Sequence, residues 1–336
     1  MSTETALSTE SPLAVYTDTD DIDPAPGIEI LEQAGFRVVR LETRDADEIV
    51  AAAQDAEALL VGYAPITAEL IARLPRLRIV ALLSMGVDNV DVPAATDAGV
   101  WVANILGAAT DEVAAHALGL ALAARSVDRA AQGVRAGGWR FDEAPKVTTE
   151  CTVGILGLGR IGRRFAEFAA PMFGEVLGSD PHLPDDEDTR RMLAEVGIRR
   201  VELDELLASS DVLSLHVPLT DDTARLVDAG FLAALPEGAV LVNVSRGGLI
   251  DEDALLAALD SGHLAGAGLD VLTTEPAAAG HPFRTHRRVV LTPHVAYLST
   301  RTSRTYATMQ AQNVVAWLTG GTPNTPVNRP VALVAD

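Results

Sequence analysis

Cysteine, lysine and aromatic side chains are all scarce in this chain. The one cysteine, Cys151, excludes an internal disulfide and suits a reducing compartment, so the expected location is cytoplasmic. Lysine occurs once, at Lys146, and arginine supplies the remaining positive charge. With 47 acidic against 26 basic residues the formal net charge is −21. That excess of acid argues against nucleic acid and anionic membrane surfaces as partners. It also means that an acidic substrate would need a locally basic pocket. No apolar run reaches the ~18 residues of a bilayer span, so no membrane partner is expected. Aromatics are 4% of the chain and hydrophobic residues 48%, so the cores must be built from Ala, Val, Leu and Ile. The opening segment has neither a basic region nor an apolar core, and residues 1–12 are expected to form a disordered tail, not a signal peptide. At 336 residues, two domains are expected.

What the chain does have is a glycine-rich turn in a telling context. The apolar, β-prone run Cys151-Thr-Val-Gly-Ile-Leu156 leads directly into Gly157-Leu-Gly-Arg-Ile-Gly162. A helical pattern follows, with Phe165, Ala166, Phe168 and Ala169 on its apolar side, and stops at Pro171 and Gly174. A second strand then ends at Asp180, 18 residues after Gly162. Strand, glycine turn, helix, strand and acid together form the dinucleotide-binding fingerprint. Gly157 permits the tight turn, Gly159 lets a pyrophosphate approach the backbone, and Gly162 lets helix and strand pack closely. The helix start favours phosphate charge. A carboxylate at Asp180 accepts hydrogen bonds from a ribose diol and repels a 2′-phosphate, which predicts NAD (NADH) over NADP.

Around this turn, strands alternate with helices, the pattern of parallel α/β units. Strands are predicted at 13–17, 36–41, 58–61 and 77–83, with helices at 28–35, 46–56 and 67–74. A long helix runs from Thr110, as its cap, through Arg125 towards Ala136, and Gly137-Gly138 breaks it. His116 within it is expected to be a packing histidine. Further strands are expected at 211–217, 239–245, 268–271 and 289–292, with a helix at 252–259. A final helix from Thr300 to Leu318 is expected to return to the first domain, so that the chain crosses over twice. The turn Ser84-Met85-Gly86 follows a parallel strand, where open sheets place ligands, and Gly86 could present backbone N–H groups to a carboxylate.

Three polar residues follow strands of the second half: Arg246, Glu275 and His294. Parallel strands gather their carboxyl ends on one edge, so all three can converge beside a nicotinamide. Their types suit hydride transfer between a 2-keto and a 2-hydroxy acid, chemistry that needs no nucleophile and no metal. Histidine donates a proton near neutral pH, a carboxylate steadies the imidazolium, and arginine binds the substrate carboxylate while polarising the carbonyl. Tyr297, just after His294, could line the substrate pocket.

Gly157-Leu-Gly-Arg-Ile-Gly162, Asp180-Pro181, His216-Val-Pro218, Asn243-Val-Ser-Arg-Gly-Gly248, Asp270-Val271 with Glu275-Pro276, and Thr292-Pro-His294 together resemble the D-isomer-specific 2-hydroxyacid dehydrogenases. The likeness runs from about residue 13 to 320. It implies two Rossmann-like doubly wound α/β domains with parallel sheets. The first, flavodoxin-like and substrate-binding, would comprise 13–120 and 298–330. The second, NAD-binding, would comprise 121–297 with the linking helix. The resemblance implies Arg246, Glu275 and His294 as the catalytic trio. It implies cofactor contacts at Gly157, Gly159, Arg160, Ile161, Gly162, Asp180, His216, Val217, Pro218, Val244, Ser245, Arg246, Asp270, His294 and Thr110, with Asp270 facing the carboxamide. It implies substrate contacts at Ser84, Met85, Gly86, Arg246 and His294, and a homodimer through the cofactor domains.

Leu82-Leu83-Ser84-Met85-Gly86 departs from the family pattern, in which many members carry Arg or Asn before a Gly-x-Gly. The missing arginine speaks against phosphoglycerate and for a mid-sized 2-keto acid, with an apolar side chain. The segment Pro293-His-Val-Ala-Tyr-Leu-Ser299 is also similar to the dehydrogenase-like C-terminal binding proteins, so a non-catalytic, NADH-responsive corepressor is the alternative. Glu275 speaks against a formate dehydrogenase, since the matching enzymes carry Gln there.

Overall fold

The computed structural model describes residues 11–19, 22–141 and 144–330. Of the expected tail at residues 1–12, only Ser11 and Pro12 fall among the described residues. The chain divides into two compact units, one comprising the residues up to Ala108 and from Ser299 onward, the other Ala109–Leu298.

The first unit holds five strands: β1 (Leu13–Tyr16), β2 (Arg37–Arg40), β3 (Ala56–Val61), β4 (Ile79–Leu82) and β5 (Trp101–Ala103). They pair in parallel in the order β2-β1-β3-β4-β5, the flavodoxin-like order. Both faces of this sheet are covered, and the sequence shows why. Leu13 and Val15 join one core with Ile49, Leu59 and Val80, while Ala14 and Tyr16 join another with Leu31, Leu60 and Ile79. Alternate side chains point to opposite faces, so a strand buried on both must be apolar throughout. The final helix, Thr302–Gly320, belongs to this unit. Its buried Gln310 donates to the Ala81 carbonyl at 2.9 Å and Asn313 to that of Asn104 at 3.0 Å, so it is keyed to the sheet by polar groups as well as by Ala311 and Val314.

The second unit holds β6 (Thr152–Leu156), β7 (Glu175–Ser179), β8 (Arg199–Arg200), β9 (Val212–Leu215), β10 (Ala239–Asn243), β11 (Leu264–Leu269) and β12 (Val289–Leu291). All pair in parallel, in the order β12-β11-β10-β9-β6-β7-β8. Counted from β6, this is the strand order of dinucleotide-binding sheets, extended by one strand. The direction of the order reverses between β6 and β9.

Four expectations need correction here. The helix Thr110–Leu122 lies wholly in the second unit, so the division falls at 108/109 and not at 120/121. The reason is packing: a Cβ on Gly268 of β11 would lie 2.7 Å from Leu120 Cβ, so helix and strand approach as only glycine allows. The expected run from Thr110 to Ala136 is also not one α-helix. Ala123–Val127 form a π-helical turn before Asp128–Arg135. Here the Arg129 guanidinium donates to the carbonyls of Ala124 and Ala265, at 3.0 and 2.7 Å, joining the turn to the sheet. Thr110 is not the cap; Ala109 holds that position and gives no side-chain hydrogen bond. Short edge strands β5 and β8 escaped the sequence reading, and β11 begins at Leu264, ahead of the expected Gly268. Among the described residues, no helix is long and apolar enough to cross a membrane.

Candidate active site

Because every strand of the second unit runs the same way, the residues following them share one edge of the sheet. In spatial order these are Asp180 after β7, the glycine turn after β6, His216 after β9, Val244-Ser245-Arg246 after β10, Asp270 after β11 and His294 after β12. At about 4.8 Å per strand, the glycine turn and β12 stand ~19 Å apart.

The turn itself is built on its glycines. Gly157 has φ +96°, and a Cβ there would meet the His216 carbonyl oxygen at 2.5 Å. A Cβ on Gly162 would lie 2.1 Å from the Gly157 oxygen. Gly159 differs: a Cβ there would meet nothing within 4 Å, so open space lies above it. Directly after it the helix Arg160–Ala169 starts, with no side chain capping its N-terminus. Unsatisfied first-turn N–H groups facing open space fit a dinucleotide pyrophosphate.

Asp180 flanks this cradle. Its carboxylate accepts the Leu158 N–H and the His182 N–H, both at 2.9 Å, which fixes the charge beside the turn. On the other side, the His216 imidazole takes a hydrogen bond between Nε2 and Ser214 Oγ at 2.9 Å, and its Nδ1 is sealed from solvent without a partner. Burial pushes its pKa down to about 3, so the ring is neutral. It packs against Phe165 with ring centroids 5.3 Å apart, so its role in the fold is to seat the helix behind the turn.

After β10, Asn243 organises the backbone: its Nδ2 donates to the Arg246 carbonyl at 2.8 Å and its Oδ1 accepts the Ser245 N–H at 3.0 Å. Ser245 Oγ donates to the Leu215 carbonyl, tying β10 to β9. Gly247 then admits a neighbouring loop, since a Cβ there would collide with the Leu272–Thr273 backbone at about 2 Å. That loop carries Glu275, so Arg246 and Glu275 are brought together by a glycine.

Glu275 and His294 are in direct contact: Glu275 Oε2 lies 2.7 Å from His294 Nδ1. The other carboxylate oxygen accepts the Leu272 N–H at 2.8 Å. Burial raises the Glu275 carboxyl, but the hydrogen bond and charge of His294, the Leu272 N–H and the Arg246 charge outweigh it and hold the group below the ordinary carboxylate value. An ionised carboxylate cannot donate, so Nδ1 of His294 carries the hydrogen of this bond. His294 has φ +54°, a left-handed conformation unfavourable to a residue with a Cβ.

Asp270 is buried, 1% exposed, and its carboxylate accepts Thr292 Oγ1–H at 2.6 Å and the N–H groups of Val295 and Ala296 at 3.0 and 2.9 Å. Its carbonyl accepts the His294 N–H at 2.8 Å. His116 Nε2 lies 2.9 Å from Thr292 Oγ1. The sequence marks His116 only as a packing residue and Thr292 only as part of the Thr292-Pro-His294 motif; 176 residues separate them, and no local pattern links them.

The remaining sequence candidates divide between the units. Thr110 opens its helix, and Tyr297, half-buried, follows His294; both belong to the second unit. Ser84, Met85 and Gly86 follow β4 in the first. There Ser84 Oγ donates to the Gly86 carbonyl and Asn104 Nδ2 to that of Met85, both at 2.7 Å, so the loop is braced from within. Among the described residues no His, Cys, Asp and Glu cluster could hold a metal ion.

Comparison with known proteins agrees with this arrangement. Residues 117–296 match the model of the D-isomer specific 2-hydroxyacid dehydrogenase, NAD binding domain. A glyoxylate reductase of Aeropyrum pernix is 38% identical over 298 residues, covering 86% of this chain and 88% of that one. A D-3-phosphoglycerate dehydrogenase of Mycobacterium bovis is 38% identical over 313 residues, covering 92% of this chain; the chain spans only 57% of that longer relative. Among solved structures, an NADPH-dependent glyoxylate/hydroxypyruvate reductase of Sinorhizobium meliloti, in complex with NADP and malonate, superposes with a TM-score of 0.83 at 32% identity, covering 96% of this chain and 100% of its own. The likeness extends through both units, and on this ground the chain belongs to the D-isomer specific 2-hydroxyacid dehydrogenase family.

Proposed function

We propose that this protein is an NAD-dependent oxidoreductase that interconverts a 2-keto acid and the corresponding D-2-hydroxy acid. The observation that carries this reading is the Glu275–His294 pair on the same sheet edge as the glycine turn. The reading is of an enzyme and not a corepressor, and the reductases and dehydrogenase among its relatives support that.

Gly157, Gly159, Gly162 and the start of the helix Arg160–Ala169 would hold the pyrophosphate, Asp180 the adenosine ribose, and Val244 and Asp270 the nicotinamide end. NADH, when bound, supplies the hydride that reduces C2 of the keto acid. His294 donates the proton to the carbonyl oxygen from Nε2, and takes it back in the oxidative direction. Glu275 keeps the opposite nitrogen protonated and stabilises the imidazolium before transfer. Arg246 binds the substrate carboxylate and lowers the cost of charge building on the oxygen. Ser84, Met85 and Gly86 are assigned to carboxylate binding, and Tyr297 to the side-chain pocket. Asp180 favours NAD, since a carboxylate there repels a 2′-phosphate.

Leu82-Leu83-Ser84-Met85-Gly86 carries no basic residue, so we assign a mid-sized keto acid with an apolar side chain in preference to a phosphorylated one. The working form is a cytoplasmic homodimer joined through the cofactor-binding units, checked by light scattering after gel filtration. The activity is tested by NADH depletion across glyoxylate, hydroxypyruvate, pyruvate, branched 2-keto acids and 3-phosphohydroxypyruvate. Turnover of at least one, fastest with an unphosphorylated acid, is expected. No turnover of any with either cofactor would overturn the assignment.

A further inference from the structure

His116 lies outside the proposed catalytic trio, yet it begins a hydrogen-bond chain that ends on the loop carrying His294. The loop needs holding: His294 sits at φ +54°, and a residue with a Cβ stays there only where its surroundings impose it. Asp270 imposes it. Its carbonyl takes the His294 N–H, and its carboxylate takes the next two, those of Val295 and Ala296. Three successive backbone groups are therefore gripped by one residue.

Asp270 in turn is a buried, acceptor-only carboxylate, and it must be met by donors that cannot turn away. Thr292 is one such donor, at 2.6 Å. A hydroxyl has a single proton, and this one goes to Asp270. Thr292 Oγ1 can then only accept from His116 Nε2, 2.9 Å away. His116 Nε2 therefore carries a hydrogen, and the same nitrogen lies 3.6 Å from Asp270 Oδ1.

We propose that His116, with Thr292 and through Asp270, is a positioning residue that holds the His294 loop in register for proton transfer. This rests on the reading of His294 as the proton donor. Packing alone does not require an imidazole here, because Ala114, Ala117, Leu120 and Ala121 already bury the helix. The side chain also lines an open cleft of about 450 Å³, beside Glu112, Val295 and Ala296, so substitutions have room.

The test compares H116L, T292V, the double variant and H116Q in the full chain. Each single variant is expected to lower kcat about tenfold to hundredfold, as loss of an outer hydrogen-bond partner does elsewhere. The loss falls on kcat more than on the dissociation constant for NADH, followed by fluorescence. The double variant is no worse than either single one, because both break one chain. H116Q, whose amide N–H can reach the Thr292 oxygen, recovers most of the rate. Amide exchange gives a readout independent of turnover: Val295 and Ala296 lose protection in H116L and T292V and regain it in H116Q. Wild-type turnover with kcat and amide protection unchanged in H116L and T292V would overturn the proposal, as would additive losses. A wild type inactive on every keto acid would instead overturn the functional reading, and exchange at Val295 and Ala296 would still decide whether His116 holds the loop.

Discussion

Glu275 and His294 meet at 2.7 Å, Oε2 to Nδ1, while the second Glu275 oxygen is held by the Leu272 N–H. A carboxylate pinned at both oxygens cannot swing, so it sets the orientation of the imidazole as well as its charge. The backbone contributes in the same sense, since Asp270 fixes the three N–H groups from His294 to Ala296.

Replacing His294 by Gln removes the proton donor without adding bulk. NADH binding, followed by fluorescence titration, should be retained, while kcat should fall by about 10² to 10⁴. Near-wild-type turnover in this variant would take the acid role from His294.

Replacing Glu275 by Gln separates charge from shape. Turnover should fall at least about tenfold, because a neutral amide no longer stabilises the imidazolium. The variant also reports on stability. The native carboxyl is held below its ordinary value, so its ionised form contributes stability that is present above an ordinary carboxylate pKa of about 4.3 and lost as pH falls through the lowered native value. The Tm difference between wild type and E275Q should therefore hold near neutrality and narrow in acid. A difference that widened on acidification would contradict the assigned direction.

Two glycines of the turn, Gly159 and Gly162, should separate under substitution. At Gly162 an added methyl meets the Gly157 oxygen at 2.1 Å, and G162A should lose about 1–3 kcal/mol of stability by overpacking. At Gly159 the methyl meets open space and φ is −67°, which alanine adopts freely. G159A should keep its Tm and lose NADH affinity, because the methyl occupies the pyrophosphate's space. Calorimetry and isothermal titration on the two variants check the contrast.

Asp180 accepts the Leu158 N–H, so its removal would disturb the turn as well as cofactor choice. Asn keeps an acceptor and drops the charge. D180N can keep the Leu158 bond but loses the one from the His182 N–H, so it should cost about 1 kcal/mol of stability and narrow the preference for NADH over NADPH by about tenfold or more, in kcat/KM. Equal use of both cofactors by the wild type would refute the reading of this acid.

Much of this molecule could be read directly from its residue order. The run from Cys151 to Asp180 announces strand, turn, helix and strand, because a tight turn, a close helix–strand approach and an apolar strand each depend on residues a few positions apart. Arg246, Glu275 and His294 could be proposed together for a related reason: each follows a predicted strand, and parallel strands end on one edge. Helix continuity was less legible. Nothing in Ala123–Val127 marks a π turn, which arises where the helix meets β11 and Arg129 bridges the two.

The strand order, the grip of Asp270 on three backbone N–H groups and the link from His116 to Thr292 were settled by folding. Local propensity and spacing act over a few residues and survive translation into a list of letters. A hydrogen bond between partners 176 positions apart exists only once the helix after Ala109 lies across the sheet and buries Asp270, where a carboxylate without donors would be too costly to keep.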